Sequence, residues 1–245
     1  MTLYFIGLGL SDEKDLSIKG FNAIKKCKYL YLESYTSLLQ VTKQDLEKFY
    51  NKEIISADRD TVEKEAEQTI LKHAKEADTA FLVIGDPMCA TTHLDLLTRA
   101  KEKGIKTKII HNASIINAVG EIGLEVYKYG KITSIPFENE NVRAPYKVLL
   151  NNLDKELHTL FLLDLKPDQN KFLTIKQAIE YLEKQGLTAK TKLIACARIG
   201  SNDQIIKYST PEKLKQERYG SAPYCLIIPA EMHFMEEEFL EQYKI

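Results

Sequence analysis

The feature that most constrains the fold is a regular alternation of short apolar runs with helical patterns over the first 112 residues. The apolar runs have the length of buried strands and lie at 3–8, 29–32, 79–84 and 107–111. The helical patterns between them lie at 17–27, 60–77 and 94–103. Strands that alternate with helices of this length form β-α-β units, which build a parallel sheet. We therefore predict an α/β protein whose first sheet is mainly parallel.

Short polar side chains mark where several helices begin. Ser17 is a predicted N-cap, and Asp60 with Glu63 has the spacing of a capping box. Thr92 is a predicted N-cap after the third strand, which leaves His93 as a surface residue in the first helical turn. These signals define the helix boundaries expected in the first half of the chain.

The alternation becomes looser after Gly123. Further strands are predicted at 159–165, 193–197 and 224–228, a helix at 174–184, and a proline-bounded loop at 136–145. We predict two α/β domains, 1–112 and 113–245, without a flexible linker.

A C-terminal helix completes the second domain. Its apolar stripe, which is typical of a core-facing side, consists of Met232, Met235, Phe239 and Tyr243. The acidic run 236–238 is expected to face solvent.

Composition excludes several kinds of partner. The 245 residues carry a net charge of −1, so no strong electrostatic field draws the chain to nucleic acid or anionic lipid. Only five of the 34 basic residues are arginine, which argues against a nucleic-acid partner. No apolar run approaches the roughly 20 residues of a membrane span, so no membrane partner is expected. The four cysteines form no C-x-x-C pair, which favours a reducing cytoplasmic location and no bound metal.

The first strand leads into a glycine-rich loop that begins Gly7-Leu8-Gly9. A dinucleotide-binding motif would need a third glycine at position 12 and a helix that starts there, but Asp12 is followed by polar residues up to Ser17. Glu33 does lie where a ribose-binding acid is expected, so an NAD-dependent oxidoreductase stays an alternative. The glycines also suit a tight turn with close backbone approach.

The third strand ends in Gly85-Asp86-Pro87. A carboxylate at this position faces the carboxyl edge of a parallel sheet, where open α/β sheets bind ligands. The alternative is that Asp86 only makes an Asx turn. Ser114 follows the next strand as a predicted N-cap whose neighbouring backbone can line a pocket.

Two later strands also end in polar loops. The strand exits at 163–167 and 197–201 contain Asp164 and Arg198, for which a structural ion pair is the simplest expectation.

Several segments in one chain resemble the diphthine synthases, which have a tetrapyrrole-methylase-like fold. The resemblance covers nearly the whole chain and rests on residues 1–10, the E-x-Y-T-S segment at 33–37, the G-D-P-x-x-A-T-T-H run at 85–93, Ala113-Ser114-Ile115 and the A-R-x-G-S segment at 197–201. It implies two α/β domains, S-adenosylmethionine in the cleft between them, S-adenosylhomocysteine as its product, and a homodimer.

The resemblance also implies a substrate and a set of cofactor contacts. The substrate is elongation factor 2, whose 3-amino-3-carboxypropyl-histidine is trimethylated at its amino group to give diphthine. The implied cofactor-binding residues are Leu10, Asp86, Cys89, Ser114, Ile115, Leu163, Ile199 and Tyr224. Cys89, Ile199 and Tyr224 depart from the side chains common in the family. Contacts made through their backbone would survive these changes, but a side-chain hydrogen bond at Tyr224 does not transfer safely.

The resemblance assigns no general base for the amine and leaves two other functions open. A methyltransferase of the same fold can act on a tetrapyrrole or on ribosomal RNA, although the E-x-Y-T-S segment and the scarce arginines count against both. A catalytically silent module that only binds the cofactor is the other alternative.

Overall fold

The computed structural model describes residues 1–89 and 93–245 and contains two units, Met1–Ile116 and Asn117–Ile245. The predicted N-cap Thr92 lies outside the described residues. The predicted domains 1–112 and 113–245 stay a prediction, because the units describe packing and not function.

The first unit is built on a five-stranded sheet in which every neighbouring pair is parallel. Its strands are β1 Thr2–Gly7, β2 Tyr29–Glu33, β3 Ile55–Ala57, β4 Thr79–Val83 and β5 Lys106–Ile110, in the order β3-β2-β4-β1-β5. Its helices are α1 Ile18–Lys26, α2 Lys43–Tyr50, α3 Arg59–Glu63, α4 Ile70–Glu76 and α5 Leu94–Glu102, and α6 Ile115–Ala118 follows β5. The predicted parallel sheet is therefore confirmed.

Both faces of this sheet are covered, which explains the continuous apolar runs in the sequence. Successive side chains of a strand point to opposite faces. Phe5 and Phe81 meet edge to face at 5.8 Å on one side, and Ile6 and Leu82 belong to the core cluster on the other. A strand buried on both faces has no polar alternation, as parallel sheets generally show.

The predicted helix over 60–77 is instead two helices, α3 and α4. Asp58, and not Asp60, is the N-cap, and its carboxylate accepts from the Thr61 amide at 2.8 Å. The Arg99 guanidinium donates to the carbonyl oxygens of Val62 and Glu63, at 3.3 and 3.1 Å. These bonds occupy carbonyl groups that a continuous helix would use, and they account for the end of α3 at Glu63.

The second unit has a mixed five-stranded sheet. Its strands are β6 Thr133–Ile135, β7 Thr159–Leu163, β10 Leu193–Ala197, β11 Ile205–Ser209 and β12 Tyr224–Ile228, in the order β11-β10-β12-β7-β6, and β8 Leu165–Lys166 pairs with β9 Lys171–Phe172. Only the β6–β7 pair of the large sheet is parallel. The helices are α7 Ala144–Leu153, α8 Ile175–Gln185, α9 Pro211–Leu214 and α10 Phe234–Leu240. Short 3-10 helices lie at Val119–Ile122, Val126–Lys128, Pro167–Gln169 and Glu241–Tyr243.

The expected apolar stripe of α10 is not its buried face. Met235 and Phe239 are largely exposed, whereas Glu236 and Leu240 are buried. Glu236 was expected in solvent, but it accepts hydrogen bonds from the Glu125 amide and from Lys128. The polar anchor therefore decides which side of α10 faces inward. No described helix is long and apolar enough to cross a membrane.

Candidate functional site

Three loops of the first unit converge at the carboxyl edge of its sheet. They follow β1, β4 and β5, and β1 lies between the other two strands. A Cβ atom at Gly7 would lie 2.5 Å from the Gly85 carbonyl oxygen and 2.8 Å from the Asn112 Cβ. Gly9 and Gly85 also exchange two backbone hydrogen bonds, at 3.3 and 2.7 Å. The absence of a side chain at Gly7 therefore allows the outer two loops to close over the end of β1.

Asp86 joins the loops after β4 and β5. Its Oδ1 accepts from the Met88 amide at 2.8 Å, which is the predicted Asx turn. Its Oδ2 accepts from the Asn112 amide at 3.1 Å and from the His111 Nδ1 at 2.8 Å. The carboxylate is almost fully buried, so these bonds replace those it would make with water.

The hydrogen bonds keep this carboxylate charged. Burial raises the pKa of Asp86, but the donors Met88, Asn112 and His111 outweigh it, and the pKa falls below its ordinary value. An ionised carboxylate only accepts hydrogen bonds. The Nδ1 atom of His111 must therefore carry the hydrogen of this contact.

The loop after β1 is held by its own aspartate and by Asn112. The Asp15 carboxylate accepts from the amides of Leu10 at 3.0 Å and Ser11 at 2.7 Å. The Asn112 side chain donates to the carbonyl oxygens of Gly7 and Asp15, at 2.9 and 3.0 Å. The next helix begins only at Ile18, so no helix N-terminus opens at this glycine-rich loop as a dinucleotide motif requires.

Cys89 lies beside Asp86 and Ser114. Burial and the charge of Asp86 raise the pKa of the Cys89 thiol, which also has hydrogen bonds with Asp86 and Ser114. The Ser114 hydroxyl accepts from the Ile116 amide at 3.3 Å. The structure therefore places four sequence-predicted cofactor residues on the three converging loops, namely Leu10, Asp86, Cys89 and Ser114. A fifth, Ile115, begins α6 directly after the loop that follows β5.

The Glu33 carboxylate stabilises the loop that directly follows β2. The buried carboxylate accepts from the amides of Tyr35 and Thr36, at 3.0 and 2.7 Å, and from the Thr36 hydroxyl at 2.9 Å. Burial raises the pKa of Glu33 although these bonds oppose it. The side chain is fully inaccessible, so this geometry does not suit a ribose-binding acid. It fixes instead the conformation of the Tyr35-Thr36 segment, where the Arg59 guanidinium lies 5.0 Å from the Tyr35 ring centroid.

The prediction that His93 lies on the surface is wrong. Its ring is buried and meets the Phe81 ring edge to face at 5.1 Å. Burial lowers the pKa of His93 to about 4, against the opposing effect of the Pro87 backbone, so the ring is neutral at physiological pH.

In the second unit, three further predicted residues share one edge of the sheet. Tyr224 begins β12 opposite Ala197, the last residue of β10, and Cys225 pairs with Leu162 of β7. Leu163 ends β7 on the other side of β12, and Ile199 follows β10 by two residues. Antiparallel pairing thus brings Leu163, Ile199 and Tyr224 together, although they are far apart in sequence.

The expected ion pair between Asp164 and Arg198 is wrong. The Arg198 guanidinium is bound by the Asp203 carboxylate at 2.7 Å and by the carbonyl oxygens of Tyr219 and Ser221. Asp164 accepts instead from the amides of Phe137 and Leu165. Arg198 joins the loop that contains Asp203 to the segment 219–221, because its guanidinium N–H groups donate to acceptors in both.

His111 is the residue that the sequence reasoning missed. It follows β5 immediately, and Asp86 lies three residues past the end of β4, so its position at a strand exit was a usable signal. The described residues contain no cluster of three or more His, Cys, Asp or Glu side chains arranged to hold a metal ion.

Comparison with known proteins identifies the family of the chain. The family described as Tetrapyrrole (Corrin/Porphyrin) Methylases matches residues 2–215. The chain is 42% identical to the diphthine methyl ester synthase of Dictyostelium discoideum, over 100% of this chain and 99% of that protein. It is also 42% identical to a probable diphthine methyl ester synthase of Arabidopsis thaliana, over 99% and 98%. A crystal structure of diphthine synthase superposes with a TM-score of 0.93 at 35% identity, over 100% of this chain and 96% of that one. The chain therefore belongs to the tetrapyrrole methylase family and, within it, to the diphthine synthases.

Proposed function

We propose that the protein is the S-adenosylmethionine-dependent methyltransferase of diphthamide biosynthesis that acts on elongation factor 2. It methylates the amino group of the 3-amino-3-carboxypropyl-histidine and forms diphthine and S-adenosylhomocysteine. The observation that carries this proposal is the identity of 42% with diphthine methyl ester synthases over essentially the whole chain. It is supported by the five candidate residues that converge at the carboxyl edge of the parallel sheet.

The residues at this edge fit the proposed cofactor. Asp86 is an ionised carboxylate at the point where the three loops converge, and a carboxylate attracts polar or cationic groups. Leu10, on the loop after β1, and Ile115, at the start of α6, have partly exposed apolar side chains. Asp86 would hold a polar or cationic part of the cofactor, and the apolar pair would contact its uncharged parts.

The proposal extends to features that rest on the family resemblance. Leu163, Ile199 and Tyr224 contribute further cofactor contacts, and their common sheet edge supports their acting together. The functional protein is a homodimer in the cytoplasm and requires no metal. The buried Glu33 carboxylate supports the idea that the preformed Tyr35-Thr36 segment recognises the partner protein.

The protein's contribution to methyl transfer is chiefly positional. When bound, S-adenosylmethionine supplies a methyl group on a sulfonium, whose positive charge already activates the leaving group. The residues must align the acceptor nitrogen with the methyl group, remove the proton of that nitrogen and exclude water. Alignment of reacting groups can contribute up to roughly 7–11 kcal/mol to lowering a barrier.

The names of the curated relatives favour a second product. Both relatives are called methyl ester synthases, which indicates that those proteins also methylate a carboxylate. The acceptor chain carries a carboxylate on the same carbon as its amine. We therefore consider diphthine methyl ester as the alternative product of this protein.

A labelling experiment tests the proposal. Purified protein and methyl-labelled S-adenosylmethionine are incubated with elongation factor 2 that carries either the aminocarboxypropyl group or an unmodified histidine. We expect label only on the first form, because an unmodified imidazole lacks the acceptor amine. Equal labelling of both forms, or labelling of ribosomal RNA in its place, would contradict the assignment.

The same sample distinguishes the two products. Mass spectrometry of the modified peptide counts the methyl groups, and mild alkali then hydrolyses a methyl ester but leaves N-methyl groups in place. An alkali-stable peptide with three methyl groups identifies diphthine. A fourth methyl group that alkali releases as methanol identifies the methyl ester.

A further inference from the structure

We propose that His111 is the general base that removes the proton from the acceptor amine, with Asp86 as the residue that positions it. The inference rests on the proposed function and assigns a step for which the sequence offered no residue. An acceptor amine is an ammonium ion at neutral pH and has no lone pair for attack until it loses a proton.

The two ring nitrogens of His111 have different environments. Nδ1 donates to the Asp86 carboxylate at 2.8 Å, so in the neutral ring Nε2 carries the free lone pair. No hydrogen bond to Nε2 occurs within residues 1–89 and 93–245. A ring held at one nitrogen and open at the other is the arrangement of a carboxylate-oriented base.

Burial and exposure divide along this hydrogen bond. The Asp86 side chain is 4% exposed, whereas that of His111 is 68% exposed. Asp86 is also held by the amides of Met88 and Asn112, so it is a rigid anchor for the imidazole. The accessible edge of His111 can therefore receive a substrate while the other edge stays fixed.

The position of His111 agrees with this role. It lies at the carboxyl edge of the sheet, three residues before Ser114, among the proposed cofactor contacts. Asp86 is the charged group in contact with its ring. From the loop after β1, Asp15 reaches this region through its backbone carbonyl, which accepts from Asn112, while its carboxylate is bound to the amides of Leu10 and Ser11.

His111 Nε2 accepts a proton from the acceptor ammonium, and the N–H electron pair becomes the nitrogen lone pair. The lone pair forms an N–C bond to the methyl group as the C–S bond breaks and its electrons return to sulfur. The imidazolium, which the Asp86 carboxylate stabilises, then releases its proton to solvent from the exposed edge.

The same chemistry makes a distinction between acceptors. Each N-methylation begins with an ammonium and needs one deprotonation. Methylation of a carboxylate needs none, because the acceptor is already an anion. A base is therefore required for transfer to nitrogen and not for transfer to a carboxylate oxygen.

The test compares wild-type protein with His111→Gln. We expect kcat for N-methylation of elongation factor 2 to fall about a hundredfold, the scale of general-base catalysis. The deficit should shrink as pH rises, because the acceptor then loses its proton to solvent. S-adenosylhomocysteine binding by calorimetry should be unchanged, and ester formation on a trimethylated acceptor, where the wild type shows it, should keep its rate.

His73→Gln is the matched control. His73 also has a hydrogen bond at Nδ1, to the Tyr31 hydroxyl at 2.6 Å. Its ring stacks on Tyr29, the first residue of β2, and therefore lies away from the carboxyl edge of the sheet. The kcat and the pH profile of the His73→Gln variant should equal those of the wild type. Nitrogen NMR of histidine-labelled protein gives a readout apart from turnover. His111 should show the tautomer with hydrogen on Nδ1, and Asp86→Asn should disturb it.

Three outcomes would overturn the inference. One is a wild-type kcat in His111→Gln, and another is a loss of cofactor affinity with normal turnover at saturation. The third is a deficit that does not change with pH, which would mark a packing role. If wild-type protein labels no elongation factor 2, the proposed function fails, whatever the NMR tautomer of His111.

Discussion

Asp86 shows how one side chain can have both of the roles that its sequence position suggested. The Asx turn is present, since Asp86 accepts from the Met88 amide two residues later. The other oxygen reaches His111 and Asn112 on the next loop along the sheet edge. The carboxylate thus stabilises the fold and also organises the candidate site, so we expect its loss to reduce cofactor affinity and stability to comparable extents.

We predict that Asp86→Ala weakens S-adenosylmethionine binding by roughly 1–3 kcal/mol and lowers the free energy of unfolding by a similar amount. The physical reason is that buried amide donors lose their charged acceptor. Calorimetry measures the affinity, and urea unfolding measures the stability.

Asp45→Ala is the control for this variant. Asp45 accepts from the Thr42 amide at 2.8 Å in the capping box of α2, so its loss should lower stability alone. A normal affinity in Asp86→Ala together with a much lower stability would leave the Asx turn as its only role.

At the scale of elements, α10 shows that buried polar groups can orient a helix. His158 Nδ1 accepts from the Ala230 amide at 3.0 Å, so its Nε2 donates to Glu236 at 3.1 Å. Lys128 donates to the same carboxylate at 3.1 Å. Burial lowers the pKa of His158 although Glu236 opposes the shift, so the ring is a neutral donor. This polar contact holds the start of α10 at the residue before β7, and Met235 and Phe239 stay exposed.

We predict that Glu236→Gln lowers the free energy of unfolding at neutral pH by roughly 1.5–3 kcal/mol, the scale of hydrogen bonds to a charged group. Burial raises the pKa of Glu236, but the bonds from Glu125, His233, His158 and Lys128 lower it overall, from 4.5 to about 2. A depressed folded pKa contributes stability above the unfolded value. That contribution is lost as pH falls from about 4.5 through about 2.

Urea unfolding at a series of acidic pH values checks whether the stability contributed by Glu236 decreases as pH falls. The difference between wild type and Glu236→Gln should shrink as pH falls through that window. Glu237→Gln is the matched control, because Glu237 is exposed in the same helical turn and should change stability little. A difference that does not vary with pH would show that the charge of Glu236 is not the source of its effect.

At the scale of the whole molecule, both sheets place candidate residues at one edge by different means. The first sheet is parallel, so all its strands leave at the same edge and their loops meet there. The second is mostly antiparallel, so strand ends from β7 and β10 meet the start of β12. In the first unit, no helix begins directly at the glycine-rich loop after β1, because α1 begins only at Ile18.

We predict from this that the whole protein binds S-adenosylmethionine and does not bind NAD. Without a helix N-terminus at the loop, a pyrophosphate lacks the aligned amide donors that dinucleotide-binding folds supply. Isothermal titration with each ligand measures the difference, and S-adenosylhomocysteine serves as the positive control. Heat with NAD and none with S-adenosylmethionine would contradict the cofactor assignment.

Local sequence determined the parallel sheet, four of its five strands and the loops that carry Leu10, Asp86 and Ser114. Apolar runs and glycines are local requirements of a doubly covered sheet, so they are visible without the fold. The helices α2 and α7 escaped prediction because few of their side chains are buried and the apolar pattern is weak. Only tertiary structure decided the burial of Glu236 and the pairing of Asp86 with His111. Glu236 lies 78 residues from its partner His158, and Asp86 lies 25 residues from His111. Strand order and packing alone bring these pairs within hydrogen-bond distance.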